Sequence, residues 1–389
     1  MRGGWKFGCV LSALVISACA TPAPQTPATA PDSAVEALRP YYAQILDADL
    51  PLGPPSPALD PEAQITRLLV ASCLDEEIEA PLITAMADAD ADVTLMIGDN
   101  VYGDIDKDRF TGADFDLNLA ELAESYADLA QLPDFKALMA ARPMLATWDD
   151  HDYGVNDAGG DMPAKELAER MFERFWGMED ADVAERPGVY YSRIAGPEGR
   201  RLQIIMLDTR FFRTALTHTD ERGAKGKERY LPSQDPDQDM LGEAQWAWLS
   251  SELEKPADLR LIVSSIQITP DVHGWEAWST LPKSRDKLYD VIRTHEIENA
   301  VFVTGDRHTA FLYRNTAVFD TPILEITASS LNKSFSKTAE SNEVDAQQVG
   351  LGYAFENYGV IDIDWEERNV ALTIIGEDAA PVSSVSGAF

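Results

Sequence analysis

Short apolar runs alternate with stretches of helical periodicity along the first part of the chain. In order, the pattern predicts a strand at 65–71, a helix at 76–89, a strand at 93–97, helices at 114–130 and 134–141, and a strand at 143–147. Runs of this length suit buried strands, and the longer stretches repeat their apolar positions with the period of a helix. Strands that alternate with helices are typical of βαβ units in a parallel sheet.

The later part of the chain adds antiparallel pairs to this pattern. A hairpin is predicted from 189–194 and 202–207, with glycine and proline in the turn between them. Further helices are predicted at 165–176, 242–255 and 285–294, and further strands at 259–268, 300–304, 310–319, 323–327, 358–363 and 369–375. Mixed strands with helices between them favour two packed sheets flanked by helices. The predicted fold class is therefore mixed α/β.

The amino-terminal part differs in composition from the rest. Residues 1–19 have a basic start, an apolar stretch at 7–15 and small residues before Cys19, which is the pattern of a lipoprotein signal peptide. Cys19 is then the predicted lipidation site, with ordinary cleavage nearby as the alternative. Residues 20–61 are rich in Pro and Ala and are interpreted as a tether with at most a short helix at 34–45. We expect an exported protein, either periplasmic or an outer-membrane lipoprotein, that contacts membrane only through this anchor.

Composition limits the partners of the remaining chain. Residues 62–376 contain the predicted strands and helices of one domain, and residues 377–389 are interpreted as a carboxyl-terminal tail. The chain has 66 acidic and 32 basic residues, a formal net charge of −34. So acidic a protein is not expected to have a nucleic-acid-binding surface, and no obligate protein partner is indicated. Local cations must attract any anionic substrate.

Three polar motifs each follow a predicted buried strand. They are Gly-Asp-Asn-Val-Tyr at 98–102, Trp-Asp-Asp-His-Asp at 148–152 and Gly-Asp-Arg-His at 305–308. The carboxyl ends of strands are where α/β folds build their sites. Carboxylates that lie close together raise one another's pKa unless cations neutralise them. The motifs therefore predict a polynuclear hydrolytic metal centre.

The first motif and the lone cysteine of the domain indicate an unusual ligand set. Asp99 and Tyr102 can bind the same cation, and a phenol such as that of Tyr102 requires a strong Lewis acid such as ferric iron. Cys73 lies at the end of the strand predicted at 65–71 and is the only cysteine after the signal region. Both an inert buried thiol and a role at the site remain open for Cys73.

The loop after the third strand is the most specific of the three signals. Either Asp149 or Asp150 would bind metal, with Asn156 as a neutral oxygen ligand. His151, its ring oriented by Asp152, would protonate the leaving group or contact phosphate. An acidic, solvent-exposed turn is the structural alternative.

The third motif and a nearby arginine complete the candidate residues. The spacing of Asp306 and His308 places both side chains on one side of the site, with Arg307 facing away. Arg210 follows the strand predicted at 202–207 and would bind substrate by neutralising charge on the phosphate. An arginine after a strand is as often a structural ion pair, so this second role stays open for Arg210.

These motifs, taken in order, resemble the alkaline phosphatase D family of the calcineurin-like metallophosphoesterases. The matching segments are 71–73, 98–102, 147–152 with Asn156, 207–210, 245–249 and 305–308. The resemblance covers about residues 62–376 and implies a four-layer αββα sandwich. It also implies a ferric ion with calcium, and hydrolysis of phosphomonoesters and phosphodiesters at alkaline pH.

The resemblance also implies which residues hold each metal. Cys73, Asp99 and Tyr102 would hold Fe3+. The other ligands would complete a site with Ca2+: Asp149 or Asp150, Asn156, Asp306 and His308. Cys73 stands where the wider superfamily has an aspartate, and Ser265 and Gln267 stand where it has a histidine. Both departures argue against two zinc or two manganese ions.

The predicted reaction is attack on a small phosphate ester by a metal-bound hydroxide, since a metal lowers the pKa of water from about 15.7 to about 7. Two alternatives remain open. One is a phosphodiesterase or phospholipase with the same metals, and the other is a non-enzymatic calcium-binding surface lipoprotein. Pocket walls would decide the ester preference, and they are predicted from 214–240 and the loop of Trp275 and Trp278. This Trp-rich loop also contains His273 and is expected to overhang the site.

Overall fold

The computed structural model describes residues 1, 33–104, 117–179, 181–335 and 345–389. Its helices are α1 (Ala34–Tyr42), α2 (Pro81–Asp88), α3 (Ala120–Leu129), α4 (Pro133–Ala141), α5 (Lys165–Phe175), α6 (Gly242–Leu253) and α7 (Pro282–Thr294). Its strands are β1 (Arg67–Ala71), β2 (Val93–Ile97), β3 (Met144–Thr147), β4 (Tyr191–Ala195), β5 (Leu202–Met206), β6 (Leu259–Val263), β7 (Ala300–Thr304), β8 (Phe311–Asn315), β9 (Ile323–Thr327), β10 (Tyr358–Asp364), β11 (Asn369–Ile375) and β12 (Pro381–Ala388).

The strands form two mixed sheets of six strands each. The first has the order β12-β11-β10-β1-β2-β3, and the second has the order β4-β5-β6-β7-β9-β8. In the first sheet β1, β2 and β3 are parallel, and β10 to β12 continue it as antiparallel strands. In the second sheet β5, β6, β7 and β9 are parallel, and β4 and β8 are antiparallel edges.

The alternation of apolar side chains explains how the two sheets pack. Leu261 and Val303 of the second sheet join the core cluster that holds the apolar residues of the first sheet. Their neighbours Ile262 and Phe302 point the other way and pack with α6 and α7. Since successive side chains of a strand face opposite sides, each central strand is buried on both faces. The predicted mixed α/β sandwich is confirmed.

The amino-terminal segment packs on the domain. Arg170 of α5 donates hydrogen bonds to the carbonyl oxygens of Tyr42 at 3.0 Å and Ile45 at 2.6 Å. Arg174 donates to the carbonyl oxygen of Leu50 at 3.1 Å, and both Tyr42 and Leu50 are buried. The short helix predicted at 34–45 is present as α1, but the prediction of a tether is wrong for residues 33–50.

The predicted signal peptide, the lipidation site Cys19 and residues 20–32 lie outside the described residues. Within the residues that the structure does describe, no helix has both the length and the apolar character needed to cross a bilayer. The export and anchoring of the chain therefore stay predictions.

The carboxyl-terminal residues also differ from the prediction. They form β12, which pairs antiparallel with β11 and extends the first sheet. Only Val385 among the apolar side chains of β12 is buried, because this strand is an edge that contacts the sheet through its backbone and one face. The predicted tail at 377–389 is therefore wrong for residues 381–388, which belong to the domain.

Candidate metal centre

The predicted motifs meet where the carboxyl ends of four strands converge. Cys73, Asp99 and Asp149 follow β1, β2 and β3 of the first sheet, and Asp306 follows β7 of the second. Oxygen atoms of Asp99, Asp149, Asp150 and Asp306 lie within 4.8 Å of one another. The two sheets thus contribute carboxylates to a single buried cluster.

The backbone at these strand ends is strained. Cys73, Asp99, Asp306 and His308 have φ angles of 56°, 47°, 65° and 52°. Left-handed conformations in residues other than glycine cost about 1–3 kcal/mol each and concentrate at functional sites. Gly98 allows the close approach of the motifs, because a Cβ there would lie 2.6 Å from the Cβ of Asp149.

One side of the cluster contains the softer ligands. The Sγ of Cys73 lies 3.5 Å from Oδ2 of Asp99, and the hydroxyl of Tyr102 lies 3.2 Å from the same oxygen. The Nε2 of His308 is 3.5 Å from the Tyr102 hydroxyl. Burial raises the pKa of the Cys73 thiol and of the Tyr102 phenol well above their usual values. A strongly charged cation would be needed to hold either group as an anion here.

The other side is dominated by carboxylates. Burial, with the charges of neighbouring carboxylates, raises the pKa of Asp306 well above its usual value. Burial also raises the pKa of Asp149 to about 6, although the Arg210 guanidinium opposes this shift. One oxygen of Asp99 and one of Asp149 are buried without any hydrogen bond. Such orphaned oxygens are costly unless a cation binds them, so this donor set fits metal ions.

His151 belongs to the cluster but is not oriented as predicted. Its Nδ1 lies 2.5 Å from Oδ1 of Asp104, and its ring centroid is 4.3 Å from that of Tyr102. Burial lowers the pKa of His151, but the charges of Asp150, Asp99 and Asp104 together raise it well above its usual value. These charges favour the protonated ring as long as no cation neutralises the carboxylates.

Asp152 has a different task from the one predicted. It accepts hydrogen bonds from the backbone N–H of Asp149 at 2.6 Å and of Asn100 at 3.2 Å. The side-chain amide of Asn100 also donates to Asp152. The predicted contact with His151 is wrong, because Asp152 instead bonds the loops of Asp149 and Asn100 and holds them together. It is a positioning residue.

Arg210 is also placed differently from the prediction. Its side chain is fully buried, and its Nε donates to Oδ1 of Asp149 at 2.7 Å. Its Nη1 forms an ion pair with Oε2 of Glu276 at 2.7 Å, and Arg213 pairs with the other oxygen of Glu276 at 3.0 Å. A guanidinium without exposed surface does not meet substrate, so the structural ion pair is the correct alternative.

Asn156 remains beside the centre. Its amide nitrogen lies 3.2 Å from Oδ2 of Asp150, and its side chain lines the open cleft. Burial raises the pKa of Asp150, but the positive charges of His151 and Arg210 outweigh it, so the net pKa is lowered. The metal-binding and substrate-binding roles predicted for Asn156 stay predictions.

A cleft with a cavity volume of about 70 Å3 opens from the cluster to solvent. Its walls include Trp275 and, from the segment 214–240, Arg229. Arg307 also lines the cleft, so the prediction that its side chain faces away is wrong. Trp278 does not line the cleft, because it is fully buried and its indole N–H donates to Ser264 at 2.9 Å.

His273 is buried as well. Its Nε2 contacts Oε1 of Gln267 at 3.1 Å. Burial lowers the pKa of His273 well below its usual value, so the ring is neutral. The loop predicted to overhang the site does reach the cleft through Trp275, whereas the buried contact of His273 makes it a packing residue.

Sequence reasoning missed several residues of the site. Asn100 and Asp104 lie in the same loop as Asp99, and that proximity was the signal that could have indicated them. Glu276 follows no motif and lies far from Arg210 in sequence, so only the fold brings the two together. Arg307 was assigned to the wrong side because strand alternation was extended into a loop with positive φ angles.

A buried cluster of carboxylates with a thiol, a phenol and an imidazole at strand ends is typical of metal-dependent hydrolases. The comparisons with known proteins agree with this class. The chain belongs to the PhoD-like phosphatase family, whose model matches residues 68–374. The predicted resemblance to the alkaline phosphatase D family is confirmed.

Two known proteins illustrate the similarity. Alkaline phosphatase D of Bacillus subtilis (strain 168) is 24% identical over 329 residues, which cover 77% of this chain and 53% of that protein. The chain thus spans about half the length of this curated relative. A solved structure described as "Structure of PhoD" has a TM-score of 0.65 and 17% identity, covering 86% of this chain and 70% of that one. This structural match shows a common fold.

Proposed function

We propose that this protein is a metal-dependent phosphoric ester hydrolase that acts on small phosphomonoesters and also on diesters. The observation that carries the proposal is the buried convergence of Asp99, Asp149, Asp150 and Asp306, with two carboxylate oxygens left without hydrogen bonds. Membership of the PhoD-like phosphatase family supports the same reaction class. An acidic cluster of this kind is unstable alone and becomes a phosphate-binding site once cations are bound.

We assign the metals by the chemistry of the donors. Cys73, Asp99 and Tyr102 suit Fe3+, because thiolate and phenolate are poor ligands for calcium. Hard oxygen ligands suit Ca2+, and they are Asp149, Asp150, Asn156 and Asp306, with His308 beside them. When bound, such metals supply an activated water near neutral pH and neutralise charge on the phosphate.

The surrounding residues have distinct tasks in this proposal. His151 lies beside Asp104 and lines the cleft, so it is placed to protonate the leaving alkoxide. Arg210 holds Asp149 through Nε and keeps that carboxylate fixed in the cluster. Asp152 fixes the loops of Asp149 and Asn100 relative to each other. Together these contacts pre-organise the donors before substrate arrives.

The amino-terminal sequence supports export. We propose a periplasmic or outer-membrane lipoprotein held by a lipid on Cys19, because a lipobox precedes that residue. We also propose that the protein requires neither nucleic acid nor an obligate protein partner, in keeping with its net charge of −34.

Metal analysis and phosphatase assays of wild type and Asp99→Asn test the proposed function. We expect iron and calcium in the wild type, and a loss of turnover of about 100-fold or more in the variant, because one carboxylate serves both sides of the cluster. Tyr102→Phe should fold normally but bind less iron. Asp290→Asn is a matched control, since Asp290 is exposed on α7 and pairs with Arg293.

Each rival function predicts a different result. Full activity of Asp99→Asn, or an absence of iron in active wild type, would contradict the proposed centre. Calcium alone with no phosphate release would favour a calcium-binding surface lipoprotein. Comparison of p-nitrophenyl phosphate, its bis-ester and phosphatidylcholine separates a phosphomonoesterase from a phosphodiesterase or phospholipase.

A further inference from the structure

Phe335 lies at the mouth of the cleft with an unusually exposed ring. Its exposed fraction is 76%, the highest of any aromatic side chain in the described part of the chain. One face of the ring stacks on His308, with centroids 3.7 Å apart and an interplanar angle of 26°. With that much of the residue exposed, the opposite face of the ring is open to solvent. A flat apolar surface is thus presented directly above a predicted metal ligand.

The walls around Phe335 include two arginines and a second flat ring, beside carboxylates of the cluster. Arg307 and Trp275 line the same cleft, and the Arg307 guanidinium lies 5.8 Å from the Trp275 ring. Arg229 approaches the same ring at 5.3 Å and pairs with Asp157 at 2.6 Å. Guanidinium groups stack on flat π systems and attract phosphate, so this wall combines charge with planar surfaces.

The direction of the cleft places Phe335 near the alcohol part of a bound phosphate ester. A phosphate held by the cluster near Asp306 and His308 must extend its ester group towards solvent, because the carboxylates close the other side. Because Phe335 stacks on His308 and lines the same cleft, an ester group that leaves the centre beside His308 would pass Phe335. A ring in that ester group would lie flat on the phenyl ring.

We propose that Phe335 is a specificity-determining residue that selects phosphate esters whose alcohol carries a planar π ring. This inference rests on the proposed phosphoesterase function. Nucleosides and aryl alcohols share this chemistry, whereas sugars and glycerol lack it. Stacking of a base on an aromatic side chain contributes about 1–3 kcal/mol, enough for at least a fivefold preference.

His308 does not depend on Phe335 for its position. The backbone N–H of His308 donates to Oγ of Ser329 at 2.7 Å, and its Nδ1 contacts the carbonyl oxygen of Lys333. The Nδ1 contact with Lys333 and the Tyr102 hydroxyl, 3.5 Å from Nε2, fix the imidazole without Phe335. A change at Phe335 should act on substrate preference rather than on the centre.

Two matched substrate pairs test the proposal in the metal-loaded full chain. Adenosine 5′-monophosphate and ribose 5-phosphate differ in the presence of the base. Benzyl and cyclohexylmethyl phosphate release alcohols of similar acidity and differ mainly in the planarity of the ring. We expect wild type to prefer adenosine monophosphate over ribose 5-phosphate by about tenfold in kcat/KM. Phe335→Leu should lower that ratio about fivefold or more, mainly through a higher KM for the nucleotide, because uniform binding is lost.

The variants distinguish stacking from general packing. Phe335→Trp should keep or increase the preference, since it retains a flat ring. Leu46→Ala removes an exposed apolar side chain that does not line the cleft. It should leave the ratio of kcat/KM values as in wild type. An unchanged ratio in Phe335→Leu, with both phosphates still hydrolysed, would overturn this inference alone. A wild type that hydrolyses none of the four substrates would overturn the proposed function instead.

A preference within both pairs supports recognition of any planar ring, and a preference within the nucleotide pair alone narrows the class to nucleosides. Equal rates within both pairs in wild type would sink the proposal.

Discussion

Individual residues of the centre adopt costly conformations that the surrounding contacts maintain. Asp99 and His308 have left-handed backbones, yet both direct side chains into the same buried cluster. The cost of about 1–3 kcal/mol per residue is offset by hydrogen bonds at the same loops, such as that between His308 and Ser329. The cluster is thus pre-formed at the expense of local stability, which is typical of a binding site.

Arg210 should be important for folding stability. Replacement by Met leaves the buried carboxylates of Asp149 and Glu276 without their shared counter-charge, so we expect the free energy of unfolding to fall by about 3–5 kcal/mol. Arg210→Lys should lower the free energy of unfolding by a smaller amount, because lysine keeps the positive charge but lacks the planar fork of a guanidinium. Urea denaturation measures both changes.

The control for Arg210 is an ion pair on the surface. Arg200 pairs with Glu366, and their side chains are 37% and 75% exposed. Arg200→Met should cost less than about 1 kcal/mol, because solvent screens the exposed pair. Equal losses for Arg200→Met and Arg210→Met would contradict the buried role of Arg210.

At the level of elements, apolar runs located most strands but could not give their ends or partners. The strand predicted at 259–268 ends at Val263, because Ser264 and Ser265 turn into the site, where the Ser265 hydroxyl donates to Asp149 at 2.6 Å. β12 was missed because serines and one glycine interrupt its apolar pattern, and its pairing depends on the exposed edge of β11. Such pairing is not encoded locally.

Helix α5 should make stability depend on pH. Glu169 and Glu173 lie one turn apart, and burial with the Glu173 charge raises the pKa of Glu169 from 4.5 to about 8. Between these values the folded state holds a proton that the unfolded state has released, so stability falls as pH rises. Glu169→Gln should flatten this decline and be more stable at pH 8 by about 1 kcal/mol or more.

Thermal or urea unfolding between pH 5 and pH 8 measures the effect of Glu169→Gln. Glutamine keeps an acceptor for the backbone N–H of Gly188, which bonds Glu169 in wild type. Glu173→Gln should also reduce the decline of stability with pH. It removes the charge next to Glu169, and it removes a second carboxyl whose pKa burial raises to about 7. Identical slopes in wild type and Glu169→Gln would refute this account.

The whole molecule is larger than its motifs indicate and strongly acidic. The amino-terminal segment packs against α5, and β12 extends the first sheet, so the domain includes more of the chain than its motifs indicate. A formal net charge of −34 acts on this entire structure. Mutual repulsion of surface carboxylates should oppose the compact state at low ionic strength.

Salt should therefore stabilise the protein. Raising NaCl from 0.01 M to 1 M shortens the Debye length from about 30 Å to about 3 Å, which screens the repulsion. We expect Tm to rise by about 2–5 °C in a calorimetric scan. Choline chloride should produce the same rise, because screening does not require sodium binding. A constant or falling Tm would show that surface repulsion is unimportant.

The sequence by itself determined the class of fold, the strands that carry the site and the chemical types of its donors. These depend on local patterns, since an apolar run defines a buried strand and the residues after it define its end. Only the tertiary structure decided that His151 contacts Asp104, that Arg210 is sealed between Asp149 and Glu276, and that the amino-terminal segment belongs to the domain. Those contacts join residues that are far apart in sequence or that lie in loops without periodicity. Whether such residues are buried, and which partners they meet, depends on how the two sheets pack.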